Sequence, residues 1–424
     1  MKFIYKLLSL SLAIACLSGC SAANTEIASS SAATATVTPT TDSTEVPASN
    51  NVFTSAGDGL YVTTDSGIYE LQTVFPDSAN IFYTDANTKE RIFLCANPNC
   101  THADESCPSY IATPSAMFPP MLLRVGDQLL VVFTEATDSS NPHGMLMNMD
   151  GSNRRTVFEL ASNQYMQGGF CTSGNDLYFD LYEINDSGNV TYQLWYVSFE
   201  NGTSEKVMDL GSDSDHYSLC DGANNELCFN HVSSDGISYY MYNPQSKTIS
   251  DPFFVDSSVS GNSMIQDGYL FVLDEQASSV QRIRLSDKEQ ASASFTVKEG
   301  FGAPSMRYLF DGNLMITEAQ TTASDIPTDG SYGVCSYILD FGTRNCTEFT
   351  LHTPYNNRPV YVLTTIGDAC YVATDYKTYT PTSVSEDGTV SNFDYVANIY
   401  AFITKQDYIN SNQNGYSMVK DAFE

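Results

Sequence analysis

The chain has few basic residues, with 19 Lys and Arg against 50 Asp and Glu, and a formal net charge of −31. A protein that binds nucleic acid needs a basic face to neutralise phosphates. Only nine arginines are present, and Arg154-Arg155 is the one place where they cluster. We therefore predict no nucleic-acid partner, and we interpret the acidity as a feature that keeps a surface protein soluble.

The chain also lacks a hydrophobic run long enough to span a bilayer, which needs about 18 or more apolar residues. Its first 19 residues instead have the pattern of a signal segment, with Lys2 and Lys6 before a short apolar core. The sequence Leu17-Ser18-Gly19-Cys20 is the pattern of bacterial lipoprotein precursors, which are cleaved before the cysteine and lipidated on its thiol. We predict that Cys20 carries this lipid. The alternative is an ordinary secretory signal with an incidental cysteine.

Residues 20–52 contain mainly Ser, Thr and Ala with a few Pro, so they cannot bury enough apolar surface to offset their ordering entropy. The sequence thus predicts three segments: a signal peptide at 1–19, a disordered tether at 20–52 and a folded body at 53–424. We expect a lipid-anchored protein outside the cytoplasm, with a monomeric body.

The body contains a recurring signature in which one or two turn residues precede a short apolar strand. Counted at the Leu60 position, its copies lie 43 to 69 residues apart, which is near the period of four-stranded propeller blades. The corresponding positions are Leu60, Leu129, Leu177, Leu227, Leu270, Leu314 and Cys370.

Short aromatic and β-branched runs separated by Asn, Asp, Gly and Pro turns follow each copy, and helical periodicity is scarce. We predict an all-β fold, a β-propeller with seven blades, six or eight being the other options because the first interval is long. The alternative is a pair of β-sandwiches. In a propeller, Cys228 and Cys370 fill the core, and the strands near Tyr416 to Val419 pair with the first blade.

A loop at 94–110 holds three cysteines and a histidine, Cys95, Cys100, His102 and Cys107, spaced C-x4-C-x-H-x4-C. Four such ligands on one turn-rich loop could close a tetrahedral zinc site, which would be structural because no coordination position stays open. The spacing is not that of a common zinc finger. The competing interpretation is a disulfide between two of the three cysteines, as expected in an oxidising exterior.

These features together resemble cell-surface lipoproteins of anaerobic gut Firmicutes. Members of that group combine a lipidation motif, a Ser/Thr-rich tether, propeller-like repeats and a motif in which Leu-Cys is followed at intervals by Pro, Cys, His and Cys. Their repeats are similar to a domain of unknown function likened to the low-density-lipoprotein-receptor-related propeller. Leu94, Cys95, Pro98, Cys100, His102 and Cys107 carry the motif here. The resemblance implies a propeller fold and a location on the outer face of a Gram-positive membrane, and it brings no catalytic residues.

Nine cysteines remain after Cys16 and Cys20 are removed, so at least one is free or metal-bound if the others pair. Cys335 and Cys346 flank a predicted hairpin and could bridge it. Cys171 and Cys220 precede consecutive signatures by similar offsets, which predicts that they lie on neighbouring blades.

No nucleophile elbow, zinc-protease helix or phosphate-binding glycine loop occurs in the sequence, and none of the five histidines has the context of a general base. We assign no catalytic residue and expect a module that binds an extracellular protein, peptide or glycan. The alternative is a polysaccharide hydrolase or lyase, whose carboxylates would be assembled in space. The single Trp195 argues against several tryptophan platforms for glycans. A third class, a solute-binding lipoprotein, would alternate strands and helices, and the pattern opposes it.

Overall fold

The structure is a computed structural model, and it describes residues 54–55, 59–74, 78–113, 118–213, 215–234, 236–256, 262–320, 333–379, 382–384, 390–392 and 395–421. Nearly all regular structure in these ranges is β-strand. The helical elements there are one short α-helix, α1 (Lys405–Ile409), and a 3₁₀ turn (Gln413–Gly415). Over the same ranges, no helix has the length and apolar character needed to cross a membrane.

Successive parts of the chain form antiparallel meanders, which we call sheets 1 to 7. The first strand found, β1 (Thr54–Ser55), pairs with sheet 3. Sheet 1 contains β2 (Tyr61–Thr63), β3 (Gly67–Val74), β4 (Ser78–Asp85), β5 (Glu90–Phe93) and β6 (Tyr110–Ala112). Sheet 2 contains β7 (Met121–Val125), β8 (Gln128–Phe133), β9 (His143–Asn148) and β10 (Arg155–Glu159). Sheet 3 contains β11 (Gln164–Ser173), β12 (Asp176–Ile184), β13 (Val190–Ser198) and β14 (Thr203–Ser212).

The later sheets repeat this arrangement. Sheet 4 contains β15 (Asp215–Ala223), β16 (Glu226–Ser233), β17 (Gly236–Asn243), β18 (Thr248–Ile249) and β19 (Phe254–Asp256). Sheet 5 contains β20 (Ser263–Gln266), β21 (Tyr269–Asp274), β22 (Ser279–Arg284) and β23 (Gln290–Ser294). Sheet 6 contains β24 (Phe301–Tyr308), β25 (Leu314–Gln320), β26 (Val334–Asp340) and β27 (Asn345–Phe349).

Sheet 7 contains β28 (Val362–Ile366), β29 (Ala369–Tyr379), β32 (Tyr395–Thr404) and β33 (Ser417–Met418). A hairpin of β30 (Thr382–Val384) and β31 (Val390–Asn392) lies between two of its strands in sequence, and β34 (Lys420–Asp421) follows it. Sheets 3 and 4 are joined by two residue pairs between β14 and β15.

The first strands of neighbouring sheets contact each other, as β2 does with both β28 and β7, so these strands form an inner wall. The turn after each first strand is the predicted signature. In sheets 2 to 7, the signature leads into the second strand through residues with positive φ, such as Gly126 at 56° and Asn225 at 65°. These six strands confirm the repeat.

The prediction is wrong for the first copy of the signature. Residues 57 and 58 lie outside the described ranges, and Leu60 precedes β2, a first strand. The second strand of sheet 1 is β3, which begins at Gly67 after the hairpin turn closed by the Thr64 amide bonding to the Gly67 carbonyl at 2.9 Å. The signature counted at Leu60 therefore lies one strand too early.

The hydrophobic core consists of clusters that lie between neighbouring sheets. Leu71 of sheet 1 packs with Leu129 of sheet 2, and Phe271 of sheet 5 packs with Leu339 of sheet 6, all four being buried. Burying a Leu or Phe side chain contributes about 1.5–3 kcal/mol relative to leaving it exposed. Since every sheet buries both faces in this way, adjacent sheets depend on each other for stability.

Sheet 7 closes on sheet 1. Ile68 of β3 packs in one cluster with Tyr371 and Phe402 of sheet 7. At the C-terminus, β33 pairs with its own sheet, whereas β34 pairs in parallel with β5 of sheet 1. The end of the chain therefore pairs with the first sheet, as predicted, but it does so through β34 and not through the predicted segment Tyr416 to Val419. The chain is a β-propeller, and the two-sandwich alternative is wrong. The number of blades in the whole chain stays a prediction, because the meanders are seen only in the described ranges.

Candidate metal centre

The cysteine and histidine loop is an insertion at the outer edge of sheet 1. The strands on either side of it, β5 and β6, both pair with β4, at Phe82 to Thr84 and at Ser78 to Asn80 respectively. The two strands therefore form an interrupted outer strand, and residues 94–109 leave the sheet between them. This insertion explains part of the long first interval in the repeat.

The loop brings the four predicted ligands together. The Sγ atoms of Cys95, Cys100 and Cys107 and a ring nitrogen of His102 all lie within 4.8 Å of one another. Cys107 is buried and the other three are partly buried. All three cysteines are free thiols in the structure. The set of residues that we predicted from spacing alone is thus one spatial cluster.

Two turns place these side chains. The Cys100 amide donates to the Asn97 carbonyl at 3.2 Å, and the Cys107 amide donates to the Asp104 carbonyl at 3.0 Å. Between the turns, His102 has a φ of 57°, a left-handed conformation that is uncommon outside glycine and is favoured at tight turns by short polar residues and His. This conformation turns the His102 ring back toward Cys107, whose Sγ lies 3.3 Å from Nδ1.

The surroundings of Cys107 stabilise a thiolate, the form that binds metals. Burial opposes its ionisation, but the Ser109 amide, which donates to Sγ at 3.4 Å, the Ser109 hydroxyl at 3.1 Å and the His102 contact together outweigh burial and lower the pKa of Cys107 to about 6. The Ser109 hydroxyl is also bonded to Asn80 Oδ1 of β4 at 2.9 Å. Burial raises the pKa of Cys95.

The loop is held from both sides. The Phe93 ring stacks on the His102 ring with centroids 4.0 Å apart and planes 11° apart. From sheet 2, Arg154 donates to the carbonyls of Pro108 and Tyr110, the latter at 2.6 Å. The close approach of Pro108 requires Gly151, where a Cβ atom would lie 2.4 Å from the Pro108 carbonyl oxygen. The cluster therefore lies at the junction of sheets 1 and 2.

The donor set fits zinc or a metal of similar ligand preference. Three thiolates and one imidazole within a few ångströms form the Cys₃His set of structural zinc sites. With four protein ligands, a tetrahedral metal keeps no position for water or substrate. The group can therefore bind and cross-link, but it is not arranged for hydrolysis.

The remaining predicted cysteines lie elsewhere. Cys335 and Cys346 are free, and the hairpin register places Cys346 opposite Leu339, four positions along the strand from Cys335. That offset is roughly 13 Å, too far for a disulfide, so this register does not support the predicted bridge. Cys171 and Cys220 are also free thiols, on sheets 3 and 4 as expected. Cys228 and Cys370 are fully buried, which confirms that they fill the core. Cys20 lies outside the described residues.

Two buried carboxyls were missed by the sequence analysis. Burial raises the pKa of Asp180 to about 7, although the amides of Gly169 and Leu219 donate to it at 3.2 and 3.1 Å. Burial likewise raises the pKa of Asp221 to about 6, and the Gly268 amide of sheet 5 donates to it at 2.9 Å. Each carboxyl thus connects neighbouring sheets. In the sequence, the available signal for the first of these carboxyls is that Asp180 lies within the apolar run of β12.

One cavity, of about 440 Å³, lies where the first strands of sheets 7, 1 and 2 meet their signature turns. Its charged lining consists of Lys89, Arg124 and Asp65. A second cavity of about 340 Å³ between sheets 4 and 5 is lined by Cys220, Tyr239 and uncharged neighbours. Neither lining contains two carboxylates.

No protein-family model matches the sequence, and no curated protein matches it. The chain is similar in structure to a puromycin-hydrolysing peptidase of Mycobacterium tuberculosis, with a TM-score of 0.47, 9% identity and coverage of 85% of this chain and 53% of that chain. It therefore spans about half the length of that peptidase. The oligogalacturonate lyase of Vibrio parahaemolyticus has a TM-score of 0.38 and 10% identity, covering 82% of this chain and 91% of that one. A chain of the nidogen–laminin complex has a TM-score of 0.30 and 13% identity, covering 54% and 74%.

At these identities the likeness concerns the fold alone, and such low scores carry no argument about function. The fold described above rests on the order of the strands and on the closure of sheet 7 onto sheet 1. The resemblance to lipoproteins of gut Firmicutes stays a prediction from the sequence.

Proposed function

We propose that this protein is a lipid-anchored β-propeller on the outer face of the cell membrane, where it acts as a binding or scaffold module for an extracellular protein, peptide or glycan. The single observation that carries the proposal is that its best-formed chemical site, the Cys₃His cluster, has four protein ligands within 4.8 Å and lies on the outer edge of a sheet. Such a site stabilises a surface and does not turn over a substrate. The lipidation pattern ending at Cys20 supports the location.

The proposed resident metal is a structural zinc ion held by Cys95, Cys100, His102 and Cys107. When bound, it would cross-link both ends of the inserted loop. The residues of the chain position it, with Phe93 supporting the imidazole and Ser109 supporting a thiolate. A metal held this way fixes the junction between sheets 1 and 2.

The alternative function, a polysaccharide hydrolase or lyase, has weaker support. Glycosidases generally use two carboxyl groups about 5–10 Å apart in one cleft. The larger cavity contains one carboxylate, Asp65, beside Lys89 and Arg124. We therefore favour binding over catalysis.

The anchoring is tested by expressing the full chain in a Gram-positive host and separating detergent-soluble from aqueous proteins. We expect the protein in the detergent phase, with a mature N-terminus at a diacylated Cys20. Cys20→Ala should move it to the aqueous phase, whereas Cys16→Ala, a cysteine inside the signal segment, should not. Retention of the Cys20→Ala chain in the detergent phase would contradict the anchor.

The binding role is tested with the Cys20→Ala chain on arrays of peptides and oligosaccharides, followed by analysis of the captured polymers. We expect reversible binding and unchanged polymers. New reducing ends or unsaturated products on any bound polysaccharide would replace the binding function by the enzymatic one.

A further inference from the structure

A row of aromatic rings crosses sheet 3 into sheet 4 at the end of the strands away from the signature turns. Tyr165 of β11 lies opposite Tyr182 of β12, which in turn lies opposite Tyr192 of β13. Tyr192 and His216 of β15 both lie opposite Gly211 of β14. Because directly opposed residues share a face, all four rings lie on one side of the strands.

The rings contact one another along the whole row. Tyr165 and Tyr182 stack with centroids 5.0 Å apart and planes 12° apart, and Tyr182 and Tyr192 are 6.0 Å apart and tilted. Tyr192 and His216 stack at 3.6 Å with planes 3° apart. The last contact spans a strand, at the position of Gly211. A Cβ atom at Gly211 would lie 2.2 Å from the Asp215 carbonyl oxygen.

All four rings are partly buried and partly exposed. A tyrosine held by its neighbours gives a rigid, amphipathic contact surface, so little side-chain entropy is lost when a ligand binds. We define Tyr165, Tyr182, Tyr192 and His216 as the aromatic row.

The electrostatic surroundings of the aromatic row are negative. Burial raises the pKa of Tyr192, and the charges of Asp213 and Asp180 raise it further. The charge of Glu135 contributes in the same direction at Tyr182, after burial and the neighbouring tyrosines. Burial lowers the pKa of His216, although Asp213 and Asp215 oppose this shift. The whole chain has a formal charge of −31.

We infer that the aromatic row binds an extended basic peptide segment rich in Arg or Lys. This inference rests on the proposed binding function and names its ligand class. Tyrosine rings attract guanidinium and ammonium groups by cation–π interaction, and nearby carboxylates add charge complementarity. Asp213 is exposed at the His216 end of the row, where it can meet a cationic side chain.

The same charges argue against an anionic ligand. A uronate polymer or an acidic peptide would place its carboxylates beside Asp213 and Asp215. A neutral oligosaccharide could bind tyrosine hydroxyls but would gain nothing from these carboxylates.

The test is isothermal titration of the full mature Cys20→Ala chain with hexa-arginine peptide, hexaglutamate and maltohexaose. We expect hexa-arginine alone to bind, more weakly at high salt because salt screens exposed charges. Tyr182→Leu should weaken the Kd by about fivefold, the size of one cation–π contact, and Tyr182→Phe should retain binding because it keeps the ring. Asp213→Asn should weaken binding by about threefold to tenfold.

Two controls separate the row from the general acidity of the protein. Asp127→Asn removes a fully exposed carboxylate from a signature turn at the other end of the strands, and Tyr355→Ala removes an exposed ring near sheet 7. Both should leave the Kd unchanged. Equal weakening by Asp127→Asn and Asp213→Asn would show diffuse attraction and overturn the inference. If Tyr182→Leu does not fold, the comparison of the Kd of Asp213→Asn with that of Asp127→Asn decides the question.

The remaining outcomes distinguish this inference from the proposed function. Binding of maltohexaose or hexaglutamate without hexa-arginine would overturn the basic-peptide inference and leave a binding module. Failure of every array ligand and of all three titrations would overturn both.

Discussion

Arg91 donates from Nε to Glu70 Oε2 at 2.9 Å, and this pair is buried at the contact between sheet 1 and sheet 7. The Tyr400 hydroxyl of sheet 7 donates to the other oxygen of Glu70 at 2.5 Å. Nη1 of Arg91 bonds to Asp421 of β34 at 3.2 Å. Burial alone would lower the pKa of Arg91, but the charges of Glu70, Tyr400, Tyr371 and Asp421 together outweigh burial and raise the pKa. One guanidinium therefore connects the first sheet with the last strand.

Replacing Arg91 by Ala should destabilise the protein strongly, because Glu70 would stay buried without its positively charged partner and keep only the Tyr400 hydroxyl. Loss of one member of a buried pair costs about 3–5 kcal/mol. Urea unfolding followed by tyrosine fluorescence measures the change. As a matched control, Arg124→Ala removes an arginine from an exposed pair with Asp127 and should change stability by less than about 1 kcal/mol. Similar effects of both changes would refute a special role for the buried pair.

The purified protein should contain one zinc ion per chain, measured by native mass spectrometry. Cys100→Ser should lower the occupancy because it removes one of four ligands, whereas Cys346→Ser, an exposed free cysteine, should not. Cobalt substitution should give the absorption of a tetrahedral thiolate site. A metal-free chain whose mass is lower by two hydrogen atoms, with the loss located at two of Cys95, Cys100 and Cys107, would instead establish the disulfide.

Removal of the metal should increase hydrogen exchange in the loop and leave the rest of the propeller protected. The loop at 94–109 lies outside the meander, so chelation should increase hydrogen exchange there and near Arg154, which donates to the Pro108 and Tyr110 carbonyls. The buried strand β8 should keep its protection. Global unfolding on chelation would mean that the metal is required for the fold.

The stability should depend on pH through Asp180. Its pKa rises on folding to about 7, so the folded protein binds this proton more tightly than the unfolded chain. The stabilisation is complete below the unfolded pKa of about 4 and is lost as the pH rises toward 7, by at most about 1.4 kcal/mol per pH unit.

Asp180→Asn should remove this contribution, so the stability difference between the natural protein and the variant should shrink from pH 5 to pH 8. Urea unfolding of both proteins at the two pH values measures it, and Asp186→Asn, in an exposed turn, is the control. A constant difference across this range would contradict the raised pKa.

Local sequence was sufficient for the repeat and for the metal ligands. The turn residues before Leu129, Leu177 and Leu227 indicate where second strands begin, since Gly, Asn and Asp are the residues that most readily adopt positive φ. The four ligands of the cluster lie within thirteen residues, from Cys95 to Cys107, so their spacing alone was enough to predict that they form one site.

Long-range pairing could not be predicted. The offset of Cys346 from Cys335 is a local matter, since the turn at Gly342-Thr343 lies off the midpoint of the two cysteines and places Cys346 opposite Leu339. Glu70 and Asp421 are far apart in sequence, and nothing local indicates that Arg91 binds both. The first signature was misplaced because Leu60 and Ile68 both follow turn residues, and only sheet order distinguishes them.

The pairing of β34 with β5 sets an order of events for a chain made from its N-terminus. The first sheet acquires its last neighbour only when Lys420 and Asp421 are available, so the propeller cannot be completed before these two residues have left the ribosome or an export channel. If the protein leaves the cell unfolded, β34 pairs with β5 only after export, on the far side of the membrane.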